Sequence, residues 1–572
     1  MKFGLLAVPA ALGVLAAAAP RPAINSTLEP RGFDVSVRFN DHDTIVGHSV
    51  QGIDTFNGIP YADAPVGPLR LRPPQRRTRP LGTLQAPDVA PACPQMWMSD
   101  KSTSLMGSLV TQVVSLPMFK SVLGQEDCLT LNVQRPHGTK QGDKLPVLFW
   151  IYGGAFEFGS TALSDGASLL ATGMDQDQPF VFVAVNYRLG GFGFMPGRQI
   201  KAEGSANLGL LDQRMGLEWV ADNIAAFGGD PDRVTIWGLS AGAISVFDQM
   251  ALRGGNATYK GKPLFHGAIM NSGSSAPVEP VDCPKAQAVF DLVTATAGCA
   301  SPAVGSELDC LRALPYHDFL AAANAVPGFW SFSSLSLSYL PRPDGHVLPD
   351  SPDVLAQQGR YHAVPIIIGN QEDEGTLMAF SQTNVSSSHD MAQYLSQVFF
   401  NRATPAQLQP LVDLYEPALI HGSPFRTGIF NELYPGFKRV AAIVGDLAFT
   451  MARRVTLRAL HPANPQTPIW SYLASYGHFF PFVGTFHSFD MAQVFYGLLP
   501  NHAMYSCRTY YFNFVYNLDP NVGITDYQHW PDWREAQHLM WFKTGSENDI
   551  LKDDFREDAS NWMEQNVHML RM

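Results

Sequence analysis

Short apolar runs alternate with stretches whose apolar residues recur at helical spacing along residues 144–270 of this chain. The predicted elements are strands at 146–152, 180–186 and 234–237 and helices at 210–224 and 243–250. This alternation predicts an α/β fold, with a large, mostly parallel central sheet flanked by helices on both faces. Ligands of such sheets bind beyond the carboxyl ends of the strands, so we expect functional residues there.

A serine between two glycines directly follows the predicted strand 234–237, in the pentapeptide GLSAG at residues 238–242. Glycines two residues before and after a serine are typical of a nucleophile elbow, a sharp strand-to-helix turn that exposes the serine above the sheet. Ser240 is therefore the candidate nucleophile. A glycine-rich turn without chemistry explains the pentapeptide alone equally well, so the rest of the chain has to decide.

A serine nucleophile needs a base, a carboxylate that orients the base, and donors for the oxyanion. Downstream of Ser240, a strand-like run at 364–368 leads into a loop with Asp373 and Glu374, and a later loop carries His487. The order nucleophile, acid, histidine is one that serine hydrolases use. From these residues alone, either acid could face the histidine.

The run 147–152 ends in a glycine pair that Ala155 follows. A glycine pair after a strand is usually only a turn. Upstream of a nucleophile elbow, however, small residues allow backbone N–H groups to approach a reacting carbonyl, which predicts an oxyanion-binding loop.

Longer stretches of the chain carry a family resemblance. The sequence resembles the type-B carboxylesterase/lipase family, the cholinesterase-like α/β-hydrolases, and within it the secreted fungal lipases. The matching segments are FNGIPY at 56–61, PVGPLR at 65–70, EDCL at 126–129, NYR at 186–188, NLGLLDQ at 207–213 and FGGDP at 227–231.

The resemblance implies one α/β-hydrolase domain at residues 19–572 that uses neither a metal nor another cofactor. It assigns Ser240 as nucleophile, Glu374 as acid and His487 as base. It assigns the backbone N–H groups of Gly154, Ala155 and Ala241 as the donors that stabilise the oxyanion. Two further residues resemble positions that support the catalytic histidine and acid in relatives, although ordinary polar loop residues explain them nearly as well: Ser272 and Asp490.

Two residues depart from the commonest family pattern. Ala155 stands where a glycine is usual, but alanine keeps its backbone N–H and so can still donate. Leu239 replaces the acid usually found before the nucleophile. Without that charge a cationic substrate loses its nearest electrostatic partner, so an uncharged acyl ester is expected.

Six cysteines indicate an oxidising compartment, and none has the spacing of a zinc site. Their spacing suggests two disulfides, Cys93 with Cys128 and Cys299 with Cys310. The sequence leaves open whether Cys283 and Cys507 pair or remain buried thiols.

The segment between Cys93 and Cys128 contains apolar residues at helical spacing, from Leu105 to Leu116, opposite serines and threonine. Periodicity alone favours a static helix packed on the core. The resemblance favours a lid, which in fungal lipases closes in water and opens against lipid.

The N-terminus predicts export. A basic start and a short apolar run make residues 1–18 a signal peptide, and no other apolar run is long enough for a transmembrane anchor. Three candidate glycosylation sites agree with a secreted, extracellular protein: Asn25, Asn256 and Asn384. The net charge of −12 argues against nucleic acid as a partner.

Together these features predict a secreted serine carboxylic ester hydrolase that acts through an acyl-enzyme on a lipid-like ester, such as an acylglycerol or sterol ester, with transient contact to a lipid interface. Two alternatives stay open. The protein could cleave soluble short-chain esters, or it could be a non-catalytic binding protein of the same fold. The sequence assigns no oligomeric state.

Overall fold

The computed structural model describes residues 32–39, 42–87, 89–96, 124–303 and 305–572, which are built round one large sheet. Its strands are β1 Phe33–Arg38, β2 Thr44–Val50, β3 Ile53–Pro60, β4 Thr83–Gln85, β5 Thr130–Pro136, β6 Leu145–Ile151, β7 Val181–Val185, β8 Gly229–Leu239, β11 Gly267–Asn271, β12 Ile366–Gln371, β13 Ile469–Ala474, β14 His538–Phe542 and β15 Asp549–Lys552; β9 Thr258–Tyr259 and β10 Lys262–Pro263 form a separate hairpin.

The strand order is β1-β2-β3-β5-β7-β6-β8-β11-β12-β13-β14-β15, and β4 pairs with β2 outside this path. The strands that run parallel to one another are β7, β6, β8, β11, β12, β13 and β14, in this order across the sheet. The strands next to them on either side, β5 and β15, are antiparallel to their neighbours. Strands such as β7 are buried along their whole length because helices cover both faces, which explains their continuous apolar sequences. The predicted α/β fold is confirmed.

The α-helices of the described residues are Ala167–Asp175, Gly190–Gly193, Arg198–Glu203, Leu208–Asn223, Ala241–Ala251, Pro284–Thr296, Glu307–Ala313, Tyr316–Ala323, Pro352–Gln357, Ser388–Tyr394, Pro405–Asp413, Phe437–Gly445, Met451–Ala463, His502–Asn517, Trp533–Ala536 and Glu557–Gln565.

The elements predicted between residues 144 and 270 are present, with one large difference in length. β8 begins at Gly229, five residues before the predicted start, because Gly229 pairs with Leu145 of β6. The residues between Gly229 and Val234 include Pro231 and two aspartates, a composition typical of a turn, so the local sequence gave no sign of this pairing.

The parallel register aligns the strand ends that matter for function. Gly238 of β8 lies opposite Ile151 of β6 and Met270 of β11, and Gly369 of β12 lies opposite Asn271. The loops that follow β6, β8 and β12 therefore meet at one edge of the sheet.

Both predicted disulfides are present, Cys93–Cys128 and Cys299–Cys310. Cys283 and Cys507 are unpaired and buried, which answers the question that the sequence left open.

The candidate glycosylation sites Asn256 and Asn384 are exposed. The predicted signal peptide, Asn25 and the helical part of the predicted lid lie outside the described residues. Within the described ranges, no helix combines the length and the apolar character needed to cross a bilayer.

Candidate active site

Ser240 lies at the turn between β8 and the helix Ala241–Ala251, with φ 57° and ψ −123°. Such a backbone conformation is strained for a residue with a side chain and persists only where its surroundings enforce it. Gly238 and Gly242 make the turn possible: a Cβ on Gly238 would lie 2.3 Å from the Gly242 carbonyl oxygen, and one on Gly242 would lie 2.1 Å from that of Ile151. The elbow predicted from the sequence is therefore present.

The structure brings Ser240, His487 and Glu374 together. His487 Nε2 lies 2.8 Å from Ser240 Oγ, and His487 Nδ1 lies 2.5 Å from Glu374 Oε2. Glu374 is 2% exposed, and its second oxygen accepts a hydrogen bond of 2.7 Å from the backbone N–H of Gln371. This is the geometry of a base hydrogen-bonded to a nucleophile and oriented by a buried carboxylate.

Asp373 has a different role from its neighbour. Its carboxylate accepts hydrogen bonds from the Ser423 hydroxyl and from the backbone N–H groups of Phe425 and Thr485. Its own N–H donates to the Thr485 carbonyl at 3.0 Å. Burial, together with the nearby Glu372 carboxylate, raises the pKa of Asp373 to about 7. Asp373 thus joins the acid loop to the loop of His487.

Phe449 supports the imidazole from another direction. Its ring lies 4.4 Å from the His487 ring, centroid to centroid, at an interplanar angle of 31°. Phe449 belongs to the π-helical turn Asp446–Thr450. No local motif marks Phe449, so sequence reasoning missed it.

The residues predicted to bind the oxyanion line the same cavity as Ser240 and His487. Gly154 has φ 114° and Ala155 has φ 56°. In the described part of the chain, the backbone N–H groups of Gly154, Ala155 and Ala241 donate no hydrogen bond to another protein group. They are therefore available to a reacting carbonyl, which is what an oxyanion site requires.

Asp490 and Ser272 occupy different environments. Asp490 is buried, accepts a hydrogen bond of 2.7 Å from the Asn271 side chain, and has a pKa raised to about 6 by burial, with the Glu374 charge adding to the rise. The buried Ser272 hydroxyl has no hydrogen-bond partner among the described residues. Its backbone N–H donates to Gly369 at 2.8 Å, so Ser272 helps to hold β12 beside the elbow.

Ser240 lies at the wall of a cavity. Leu239 lines it, together with many aromatic and aliphatic side chains. Within the described ranges, no aspartate, glutamate, lysine or arginine lines this cavity; His487 does, and Glu374 lies behind the histidine. An apolar site without a carboxylate next to the nucleophile suits an uncharged acyl group.

One cluster near the site could offer ligands to a metal ion. Atoms of Glu372, Asp373 and His478 lie within 4.8 Å of one another. Glu372, however, makes a bidentate ion pair with Arg426, and Asp373 is satisfied by the three donors named above. These bonds indicate an ion-pair and hydrogen-bond cluster that joins loops.

Comparison with known proteins identifies the family. The sequence model of the Carboxylesterase family matches residues 38–562. The chain belongs to this family. It is 58% identical to the secreted triacylglycerol lipase LIP1 of Gibberella zeae, over 92% of this chain and 90% of the relative. It is 52% identical to secreted lipase 1 of Botryotinia fuckeliana, over 92% of this chain and 91% of the relative.

A similar solved structure is that of Aspergillus niger EstA, with a TM-score of 0.78, 26% identity, and coverage of 94% of this chain and 99% of EstA. This carboxylesterase is therefore an α/β-hydrolase and a carboxylic ester hydrolase, and the predicted resemblance, enzyme class and secretion are confirmed. The non-catalytic alternative has no support from these relatives.

Proposed function

We propose that this carboxylesterase is a lipase that cleaves uncharged, lipid-like esters, acylglycerols above all, through an acyl-enzyme on Ser240. The observation that carries the proposal is the contact chain from Ser240 Oγ through His487 to Glu374. Relatives named as a secreted triacylglycerol lipase and as lipases support the substrate class.

In the proposed mechanism each group has one role, which the geometry supports. His487 Nε2 takes the proton of Ser240 Oγ as this oxygen attacks the ester carbonyl. The N–H groups of Gly154, Ala155 and Ala241 stabilise the resulting oxyanion. The proton passes from Nε2 to the leaving alcohol, which departs and leaves the acyl group on Oγ. A water molecule activated by His487 then releases the acid, while Glu374 stabilises the imidazolium in both steps.

The cavities beyond the nucleophile support a long acyl chain. A second cavity shares lining residues with the cavity above Ser240, and a third shares lining residues with the second. All three are lined mainly by apolar side chains, so methylene groups that enter them leave water at a gain of roughly 0.8 kcal/mol each. The proposed acyl path follows this series of cavities.

Replacement of the nucleophile tests the mechanism. Ser240→Ala removes the attacking oxygen, and we expect kcat on a 4-nitrophenyl acyl ester to fall by about 10⁴-fold or more. The exposed Ser301→Ala is the matched control and should keep wild-type activity. A fluorophosphonate probe should label the wild type and Ser301→Ala at Ser240, as read by peptide mass spectrometry, but not Ser240→Ala. Labelling at another serine would overturn the assignment.

Rates on dissolved and emulsified esters separate the lipid-like substrate from the soluble alternative. We expect the rate on tributanoylglycerol to rise by at least severalfold when its concentration exceeds solubility, because the proposal includes transient contact with a lipid interface. Simple saturation through the solubility limit, with short dissolved esters as the best substrates, would favour the short-chain esterase.

A further inference from the structure

Asp248 is a buried carboxyl group that the mechanism does not use. It lies in the helix Ala241–Ala251, has no exposed surface, and neither of its side-chain oxygens has a hydrogen-bond partner in the described structure. Burial raises the pKa of Asp248 well above its ordinary value, which favours the protonated form. An unpartnered buried carboxylic acid destabilises a protein, which makes its presence informative.

The helix places Asp248 in line with the nucleophile. Ser240 directly precedes the helix, and Ile244 and Asp248 are four residues apart and so lie on one face of it. Eight residues correspond to about 12 Å along the axis. Ile244 lines both the cavity above Ser240 and the second cavity, whereas Asp248 lines the second cavity alone.

The second cavity is otherwise apolar. Among its described lining residues, only Asp248 and Ser274 carry polar side chains. Five residues line both this cavity and the one above Ser240: Phe156, Ile244, Leu335, Leu337 and Phe449. A protonated carboxyl group can both donate and accept a hydrogen bond, and the second cavity offers it no protein partner.

We propose that Asp248 is a specificity-determining residue that recognises an oxygenated acyl chain, one with a hydroxyl group near its middle. This inference rests on the proposed function, because the acyl chain must enter the second cavity from Ser240. An extended chain of single bonds advances about 1.2 Å per bond, so 12 Å places the recognised group about ten bonds from the carbonyl carbon. A hydroxyl group at that position can donate a hydrogen bond to Asp248 and accept one from it.

Matched substrates test this position. The substrates are 4-nitrophenyl esters of octadecanoic acid and of its 2-hydroxy and 10-hydroxy derivatives, presented in the same detergent micelles. For the wild type we expect kcat/KM for the 10-hydroxy ester to exceed that for the unsubstituted ester by about tenfold, the usual net effect of one buried hydrogen bond. The 2-hydroxy ester should show no such preference, since its hydroxyl lies beside Ser240.

Two variants test whether Asp248 causes the preference for the 10-hydroxy ester. Asp248→Asn keeps a donor and an acceptor and should retain most of the preference for the 10-hydroxy ester. Asp248→Leu removes both and should lose the preference, with equal or faster turnover of the unsubstituted ester. Its Tm should equal or exceed that of the wild type, because an unpartnered polar group is replaced by an apolar one.

The outcomes separate the two proposals. Equal kcat/KM for the 10-hydroxy and unsubstituted esters in the wild type, or the same preference in Asp248→Leu, would overturn the role of Asp248 and leave the lipase proposal intact. A marked fall in Tm for Asp248→Leu would show that the carboxyl has a structural partner and would also overturn it. No turnover of any ester by the wild type would overturn the proposed function and this inference with it.

Discussion

Asp373 and Glu374 are adjacent acids that serve different partners. They lie in the loop after β12, separated from its last residue by Glu372. Glu374 contacts the imidazole, and Asp373 contacts the loop that carries it. From the residues alone either acid could face His487, and only the family resemblance favoured Glu374. The distances in the structure show that Glu374, and not Asp373, contacts His487.

Charge removal at each acid tests this division. Glu374→Gln deprives His487 of the carboxylate that orients the ring, and we expect kcat to fall by about 10³- to 10⁴-fold with little change in KM. Asp373→Asn is the matched control in the next residue. It should lower thermal stability, because one of three hydrogen bonds to the loops is lost, but reduce kcat by less than about tenfold. The reverse order of the two kcat values would contradict the assignment.

At the scale of elements, the buried acid Glu157 links the loop after β6 to neighbouring segments by hydrogen bonds. Glu157 is 3% exposed; one carboxylate oxygen accepts a hydrogen bond of 2.8 Å from the Phe329 N–H, and the other has no partner in the described chain. Its backbone N–H donates to Gly154, and its carbonyl accepts from Met96. Burial raises the pKa of Glu157 to about 8, although the hydrogen bond from Phe329 acts in the opposite direction.

This raised pKa has a consequence for stability. The unfolded chain ionises Glu157 from about pH 4.3. The native state retains the proton up to about pH 8, so the contribution of this group is complete below pH 4.3 and is lost as pH rises towards 8. Glu157→Gln lacks the titration. We expect its free energy of unfolding, relative to wild type, to rise with pH by up to about 1.4 kcal/mol per unit between pH 5 and 8.

Urea unfolding at pH 5, 6, 7 and 8 measures this difference. The exposed Glu547→Gln is the control and should show no trend with pH. A pH-independent difference between Glu157→Gln and wild type would mean that Glu157 is already ionised in the native state.

At the scale of the whole molecule, the cavities lie between elements that are far apart in the chain. The second and third cavities share residues from the loop after β11, the helix Met451–Ala463 and the C-terminus. Among these, Ala452 lines both. No single segment of the sequence outlines such a space, because each contributes only a few apolar positions that look like ordinary core.

Partial filling of these cavities should change the preference for acyl length. Ala452→Phe places a ring in the lining shared by the second and third cavities. We expect kcat/KM for hexadecanoyl and octadecanoyl esters to fall at least tenfold, while kcat/KM for butanoyl esters stays within about twofold of the wild-type value. Ala295→Phe, on the exposed side of another helix, should leave the whole profile unchanged. An equal loss on short and long esters would place the acyl chain elsewhere.

The sequence by itself determined the α/β class, the elbow at Ser240, the two disulfides and the order of the candidate nucleophile, acid and base. These features rest on short-range patterns: periodicity, turn glycines and the spacing of cysteines. The tertiary structure decided which acid faces His487, that Phe449 lies against its ring, that Cys283 and Cys507 stay apart, and that Asp248 lines a cavity that shares lining residues with the one above Ser240. Each of these depends on contacts between residues distant in the chain, and such contacts are fixed by the packing of whole elements rather than by any local pattern.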